Sequence, residues 1–358
     1  MEILQDILAA LASVADPITE GFVALTLGFA IVPTGIGFLI GAAFMLIFNS
    51  VVPVSFQVEG LTVVSRLSKG DWKTMCYAVM LSGIVGAILG AVGVFDSIVS
   101  FIGTGIQGGL LVGAGLILAI VSIEIFKENW KIGAISVLAA YIVFLVWGDL
   151  LWALVASVGL SIIAARWIPA EPIGSNPEIE KVRFLPRSFH DLKYFLNRNV
   201  IIAALGILAL RCGTSIAYGG VDAMLSGTTM NPDQVNITSG LASIFSGMFG
   251  GANLEPIIAG HVTAPHPVYA GALMLAIMGV LCLTGVIPWM TRWVPTQAVC
   301  GFLMTISLLI VIPENAPFML EEPVAGAVTA GITAATINPF AGMVIGIIVR
   351  AIMVAAGT

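Results

Sequence analysis

The chain has 358 residues, 59% hydrophobic and 9% charged, with 40 glycines and a formal net charge of −6, and its mean hydropathy is +1.07. This excludes an ordinary water-soluble domain and points to an all-α polytopic protein of the cell membrane. A β-barrel is excluded because its strands alternate with period two, whereas Val200 to Leu210 is apolar on every side. The basic residues form no stripe interleaved with aromatics, so nucleic acid is not expected as a partner. The lipid bilayer and a small-molecule solute are.

The start, Met1-Glu2-Ile3-Leu4-Gln5-Asp6, lacks the basic lead of a signal peptide. The first fifty residues read as two spans, broken at Pro33-Thr34-Gly35. With Pro, Gly, Asn and charges as punctuation, five more follow at about 52 to 65, 75 to 94, 102 to 125, 132 to 147 and 150 to 165. A hydrophilic linker, 166–199, precedes seven further runs at about 200 to 221, 235 to 249, 252 to 260, 268 to 287, 295 to 312, 323 to 336 and 338 to 356. Residues 1–165 thus hold spans 1 to 7, and residues 200–358 hold spans 8 to 14. Cys76, Cys212, Cys282 and Cys300 are far apart and read as small core hydrophobes.

Lys and Arg set orientation. Arg66, Lys69, Lys73, Lys127, Lys131, Arg166, Lys181, Arg183, Arg187, Lys193, Arg198 and Arg292 all fall on one face. The other face carries Asp96, Asp149, Asp222, Asp233, Glu314, Glu321, Glu322 and the N-terminal acids through Glu20, with no basic residue. The linker is therefore expected to be cytoplasmic.

The halves echo one another. Tyr77-Ala78 matches Tyr269-Ala270, Gly105-Ile106-Gln107 matches Pro295-Thr296-Gln297, and Gln57-Val58-Glu59-Gly60 matches Asn253-Leu254-Glu255-Pro256. The separations span seven crossings, an odd number, so the second copy is inverted. Inverted repeats typify alternating-access transporters, whose solute sites form at short broken spans near the midplane. Spans 3 and 10 are the short, Gly- or Pro-interrupted ones here.

Few ionisable groups remain at membrane depth: Glu59, Glu255, Arg211, Arg350 and, near a span end, Glu124. Such groups are costly in a bilayer and need a reason. Glu124 and Arg350 read as interfacial. Glu59 follows Gln57, and Glu255 follows Asn253; a carboxylate beside an amide suits the edge of a planar heterocycle. The plainer alternative is that the two glutamates pair with Arg211 to hold the bundle together. Arg211, with Thr214 near it, is otherwise a candidate for attracting an anion. His261 and His266 read as solvated loop histidines, a proton relay being the alternative. The glycines from Gly103 to Gly115 read as close helix packing.

Asn236 to Ile310 resembles the nucleobase/ascorbate transporter family, the uracil, xanthine and purine permeases. Gly240-Leu241-Ala242-Ser243 through Gly250-Gly251 is similar to that family's ninth span, and Asn253-Leu254-Glu255-Pro256-Ile257-Ile258-Ala259-Gly260 to its tenth. Val294-Pro295 to Leu309 resembles the twelfth, and Pro53 to Leu67 with Lys73 to Glu124 resembles spans three to five. The resemblance implies a fold of seven plus seven inverted spans, with spans 1 to 4 and 8 to 11 as a core domain. Spans 5 to 7 and 12 to 14 would be a gate domain through which homodimers form. It also implies that Glu255 binds a base. The family's glutamate in span eight has no match, since Arg211 and Thr214 stand there, which suits the anion permeases of the same fold. The family also places the loop between the halves outside, opposite to the charge count.

The function expected is a secondary transporter, and not an enzyme, for a small planar solute such as a purine or pyrimidine base. No cofactor is expected; the coupling ion would be H+ or Na+, with Glu255 and Glu59 carrying a proton. The alternative is an organic or inorganic anion transporter centred on Arg211.

Overall fold

The computed structural model describes residues 1–148, 150–173, 180–182 and 192–356. Asp149, Arg183 and Arg187 of the charge pattern lie outside the described residues.

The first fifty residues form two rods. Helices α1 (Glu2–Ser13) and α2 (Ala15–Thr26) make one, because the bond from the Ile18 N–H to the Val14 carbonyl carries the helix past Val14. Pro17 falls in the first turn of α2, where a missing N–H costs nothing. Helix α3 (Thr34–Ile47) follows Pro33. Strand β1 (Val54–Ser55) then leads into the short helix α4 (Val58–Leu67). Helix α5 (Trp72–Val92) is capped by Asp71, which accepts the Thr74 N–H at 2.9 Å, and ends at the left-handed Gly93. Helices α6 (Phe95–Ile102), α7 (Thr104–Glu128), α8 (Trp130–Trp147) and α9 (Leu150–Ala164) complete the first half.

The second half repeats this order. Helices α10 (Arg198–Leu225) and α11 (Pro232–Met248) precede strand β2 (Glu255–Pro256) and a 3-10 turn at Gly260–Thr263. Helices α12 (Pro267–Leu283) and α13 (Val286–Met290) follow. Next come α14 (Ala298–Thr305), a π-helical segment Ile306–Val311, and α15 (Ile312–Met319), then α16 (Pro323–Thr336) and α17 (Pro339–Ala356). Among the described residues seven rods are long and apolar enough to cross a membrane, and α12 with residues 286–293 forms an eighth, bent by 59°. Helix α3, residues 152–164 of α9, and α16 are shorter apolar helices. The remaining short elements α4, α11 and the β2 segment occupy the places of spans 3, 9 and 10.

The inversion shows at the centre, where β1 and β2 cross antiparallel with Val54 opposite Pro256 and Ser55 opposite Glu255. Tyr77 and Tyr269 both lie near the starts of corresponding helices, α5 and α12, and Gln107 and Gln297 near those of α7 and α14. The third echo is out of register. Gln57 lies two residues after β1, but Asn253 lies two residues before β2, so Glu59 and Glu255 are not structural equivalents.

Two sequence expectations about element bounds are corrected. Span 10 is extended backbone and one 3-10 turn, with no half-helix, because Gly260, Pro265 and Pro267 leave too little chain free of helix breakers. Among the described residues only α4 therefore brings a helix N-terminus to the centre. Span 12 does not stop at Ile312 but runs to Met319 through Pro313. The π segment before Pro313 shifts the bonding pattern where proline supplies no N–H.

The helices pack in two groups. In one, α5 lies against α10 and α11, α3 against α11 and α12, and α4 against α10; in the other, α7 lies against α14, α15 and α16, α8 against α9 and α14, and α16 against α17. The glycines of α7 permit this closeness: a Cβ on Gly109 would collide with the Gly326 carbonyl oxygen. All four cysteines are buried and free.

Glu124 is half-exposed and pairs with Arg66. Arg350 is a correction to the charge pattern, since it sits on the acidic face, beside Glu322, with Nη1 donating to the Ile102 carbonyl at 2.7 Å. It caps the end of α6, as basic residues do at helix C-termini. The linker straps both groups. The Ile173 N–H donates to the Val294 carbonyl at 2.7 Å, the Thr296 N–H to Glu171 at 3.0 Å, and Glu180 Oε2 accepts the Val32 N–H at 3.3 Å.

Candidate functional site

The crossing of β1 and β2 aims the N-terminus of α4 into the middle of the molecule. Gln57, extended at φ −139°, does not cap the helix with its side chain. The first helical bond runs from the Leu61 N–H to the Gln57 carbonyl. The N–H groups of Val58, Glu59 and Gly60 precede it and have no acceptor within the helix. The Gln57 and Asn253 side chains are buried, and neither amide has a hydrogen-bond partner among the described residues. They flank Gly60, where a Cβ would meet Asn253 Nδ2 at 3.0 Å and Gln57 Oε1 at 3.5 Å.

In front of this end lies a cavity of about 130 Å³. Its polar lining is Gln57 and Glu59 with Glu20 from α2, Tyr218 from α10 and Glu314 from α15; among the described residues no lysine or arginine lines it. Glu20 and Glu59 are buried, and Glu314 stands exposed at the rim. Tyr218 is hydrogen-bonded to Asn315 and lies in the field of all three carboxylates. The far wall is the π segment, through Ile306, Ile310 and Val311. A water occupies ~30 Å³ of liquid, so the space suits a small oxyanion or a single ring. A larger hollow of about 680 Å³ lies among the loops by Asn49, Met230 and His266, away from the crossing.

Arg211 and Glu255 do not line this cavity and lie against each other, with Glu255 behind Gly60, where a Cβ would stand 3.7 Å from its Cγ. Arg211 Nε donates to Glu255 Oε2 at 2.8 Å and Nη2 to Oε1 at 2.7 Å, both side chains being almost wholly buried. Thr214 Oγ1 donates back to the Arg211 carbonyl at 3.4 Å. In this arrangement each charge is satisfied by the other, the pairing that the sequence offers as the plainer alternative for Glu255. Of the six site residues expected from sequence, Gln57 and Glu59 line the cavity, Asn253 and Glu255 stand at Gly60 beside it, and Arg211 and Thr214 lie behind, Arg211 bonded to Glu255.

Three cavity residues were not singled out by the sequence. Glu20 reads as part of an acidic lead-in, yet Ile18-Thr19-Glu20-Gly21-Phe22 puts it inside an apolar rod. Glu314 follows Pro313, which reads as a span end. Tyr218 carries no charge to flag it. His261 corrects a further reading: it is fully buried, with Nε2 3.0 Å from the Val51 carbonyl oxygen. His266, half-exposed, pairs with Asp6 through Nδ1 at 2.8 Å. Among the described residues no three His, Cys, Asp or Glu side chains are grouped to hold a metal ion.

No protein-family profile and no curated protein sequence matches the chain. Solved structures do. The transmembrane domain of a cyanobacterium bicarbonate transporter, BicA, superposes with a TM-score of 0.69 at 14% identity, covering 93% of this chain and 97% of that one. The fold is the inverted-repeat transporter fold. The murine anion transporter Slc26a9 in its inward-facing state gives 0.70 at 10% identity, over 99% of this chain and 69% of that one. A second SLC26A9 structure gives 0.65 at 11%, over all of this chain and 66% of that one. These counterparts are transporters, not enzymes, and they do not single out the nucleobase family that Asn236 to Ile310 resembles.

Proposed function

We propose that the chain is a secondary transporter that carries a small anion together with protons through the cavity at the N-terminus of α4. The observation that carries this reading is the junction itself. Broken segments from both repeats meet there, and the walls come from both helix groups, α4 and α10 on one side and the π segment and α15 on the other. A shift between the groups would open the cavity to one face and then the other. The uncapped N–H groups of α4 and the Gln57 amide are donors for an oxyanion. The likeness to bicarbonate and anion transporters supports the same class of solute.

The carboxylates explain the protons. Ionised, Glu59 repels an anion; protonated, it donates a hydrogen bond to one. Anion and proton then enter and leave together. A second reading, transport of a nucleobase, is favoured by Gln57 standing beside Glu59, a donor and acceptor pair that fits the amide edge of a planar heterocycle.

Proteoliposomes offered labelled bicarbonate, sulfate and uracil discriminate these. Saturable anion uptake that uracil does not inhibit is expected. Uptake of uracil alone replaces the first reading with the second, and uptake of none of these or of related anions and bases overturns both. We further propose that the linker is cytoplasmic, on the Lys and Arg distribution, and that copies associate through the α7 to α9 and α14 to α17 group.

A further inference from the structure

A hollow of about 450 Å³ lies on the linker's face, between the two helix groups. The two helices that wall the solute cavity on one side also reach this hollow. On α2, Glu20 lines the cavity and Thr26 the hollow; on α4, Gln57 and Glu59 line the cavity and Ser65 and Arg66 the hollow, followed by Lys69 and Gly70. The rise of α4 from Glu59 to Arg66 is roughly 10 Å. The opposite wall is Val121, Ile125 and Glu128 of α7, with Thr296 just before α14. Between the two spaces α4 is buried from Val58 to Ser65 and packs on α7, whose Val121 and Ile125 are buried too. The cavity is thus shut toward the linker's face, while the exposed Glu314 marks its mouth on the acidic face.

The charges at the hollow are sorted by wall. Arg66 and Lys69 belong to the end of α4, and the carboxylates, Glu124 and Glu128, to α7. Each wall is tied within itself. Ser65 Oγ donates to the Leu27 carbonyl at 2.9 Å, joining α4 to the end of α2, and Gln297 Nε2 donates to Glu128 Oε2 at 3.2 Å, joining α7 to the start of α14. Across the gap Arg66 Nη2 pairs with Glu124 Oε2, both side chains being partly exposed. An ion pair in that setting exchanges for another at small cost. Lys69 has no ion-pair partner among the described residues.

A parting of the two groups carries Arg66 away with α4 and leaves Glu124 on α7. The guanidinium then presents, beside Lys69, a planar donor fork without a carboxylate, the geometry that takes an oxyanion through two parallel bonds. We infer that Arg66 and Lys69 form a second anion site, on the linker's face, where Arg66 trades Glu124 for a small oxyanion as the solute passes between cavity and hollow. This rests on the anion-transport reading above and adds where the anion binds next and what holds that face shut. Glu128, already bonded to Gln297, stays on the far wall.

Sided transport kinetics test the inference, with labelled sulfate and bicarbonate offered to right-side-out and inside-out membrane vesicles containing the full chain. Arg66→Gln is expected to raise KM at the linker's face several-fold, with a smaller change at the acidic face. Glu124→Gln frees Arg66 and is expected to lower the same KM. Displacement of that KM in one direction by both variants is what a latch alone gives and overturns the inference, as does a KM that neither variant moves.

A second measurement needs no transport. Thr296→Cys places a thiol on the hollow, the four native cysteines being buried. The purified protein in lipid nanodiscs is treated with methanethiosulfonates of similar size bearing a sulfonate or an ammonium group. The ratio of the anionic to the cationic rate is expected to fall several-fold on Arg66→Gln and to rise on Glu124→Gln. Lys127→Gln, an equal charge change on α7 outside the hollow, should move it less; an equal fall there overturns the inference. A responsive ratio without uptake of either anion ends the transport reading and leaves the site, and intact uptake with an unresponsive ratio does the reverse.

Discussion

Arg211 and Glu255 hold each other through two parallel hydrogen bonds of 2.8 and 2.7 Å, fully buried between α10 and β2. The pair ties the second repeat's broken segment to the longest helix of the molecule. Removing one member of a buried pair leaves the other charge uncompensated, at a cost of ~3–5 kcal/mol. Glu255→Gln should therefore lower the unfolding midpoint in detergent sharply. Replacing both residues by methionine should recover much of the loss. Equal stability of Glu255→Gln and the unaltered protein would show that the pair is not structural.

Gly60 separates the partnerless amides of Gln57 and Asn253. A Cβ there stands 3.0 Å from Asn253 Nδ2, so the amide must move by a few tenths of an ångström and crowd the end of α4. Gly60→Ala should keep the protein folded while lowering uptake at least several-fold. An unchanged uptake rate, measured beside an unchanged melting temperature, would remove this end of α4 from the solute path.

The architecture is legible in the sequence because hydropathy counts spans directly, and Tyr77 with Tyr269 and Gln107 with Gln297 mark corresponding helices. The site is half legible. Glu59 and Gln57 stand out as polar residues in a short span. Arg211 and Glu255 stand out for the same reason, and the sequence leaves open whether they pair or act on a solute; the structure pairs them. Glu20 and Glu314 are hidden because a charge near an apparent span end looks like a loop charge. Pro313 creates that appearance, and only the π segment before it reveals that the helix continues.

Glu180 of the linker reaches the N-terminal approach to α3. Burial pushes its carboxyl above the ordinary value, against the opposing pull of the Val32 and Ile31 N–H groups. The folded protein therefore holds this proton more tightly than the unfolded chain does. Its contribution to stability is fully present below the usual glutamate value, ~4.3, and is lost as pH rises through the raised one. Glu180→Gln should flatten the dependence of melting temperature on pH between the usual value and the raised one. An identical pH profile in the variant would contradict the assignment.

Reporter fusions at Asn176 in the linker and at Thr228 between α10 and α11 test orientation. A cytoplasmic signal from Asn176 and an external one from Thr228 are expected from the twelve basic residues on the linker's face. The reverse pattern would place the linker outside.

Uptake of labelled bicarbonate or sulfate into proteoliposomes, with and without an inward pH gradient, tests the central claim most directly. Accumulation above the external concentration only when the gradient is imposed, and its loss in a folded Glu59→Gln protein that still exchanges anion for anion, is the predicted result. Gradient-driven accumulation that persists undiminished in Glu59→Gln, or uptake that never exceeds equilibration under any gradient, would contradict proton-coupled transport through this cavity.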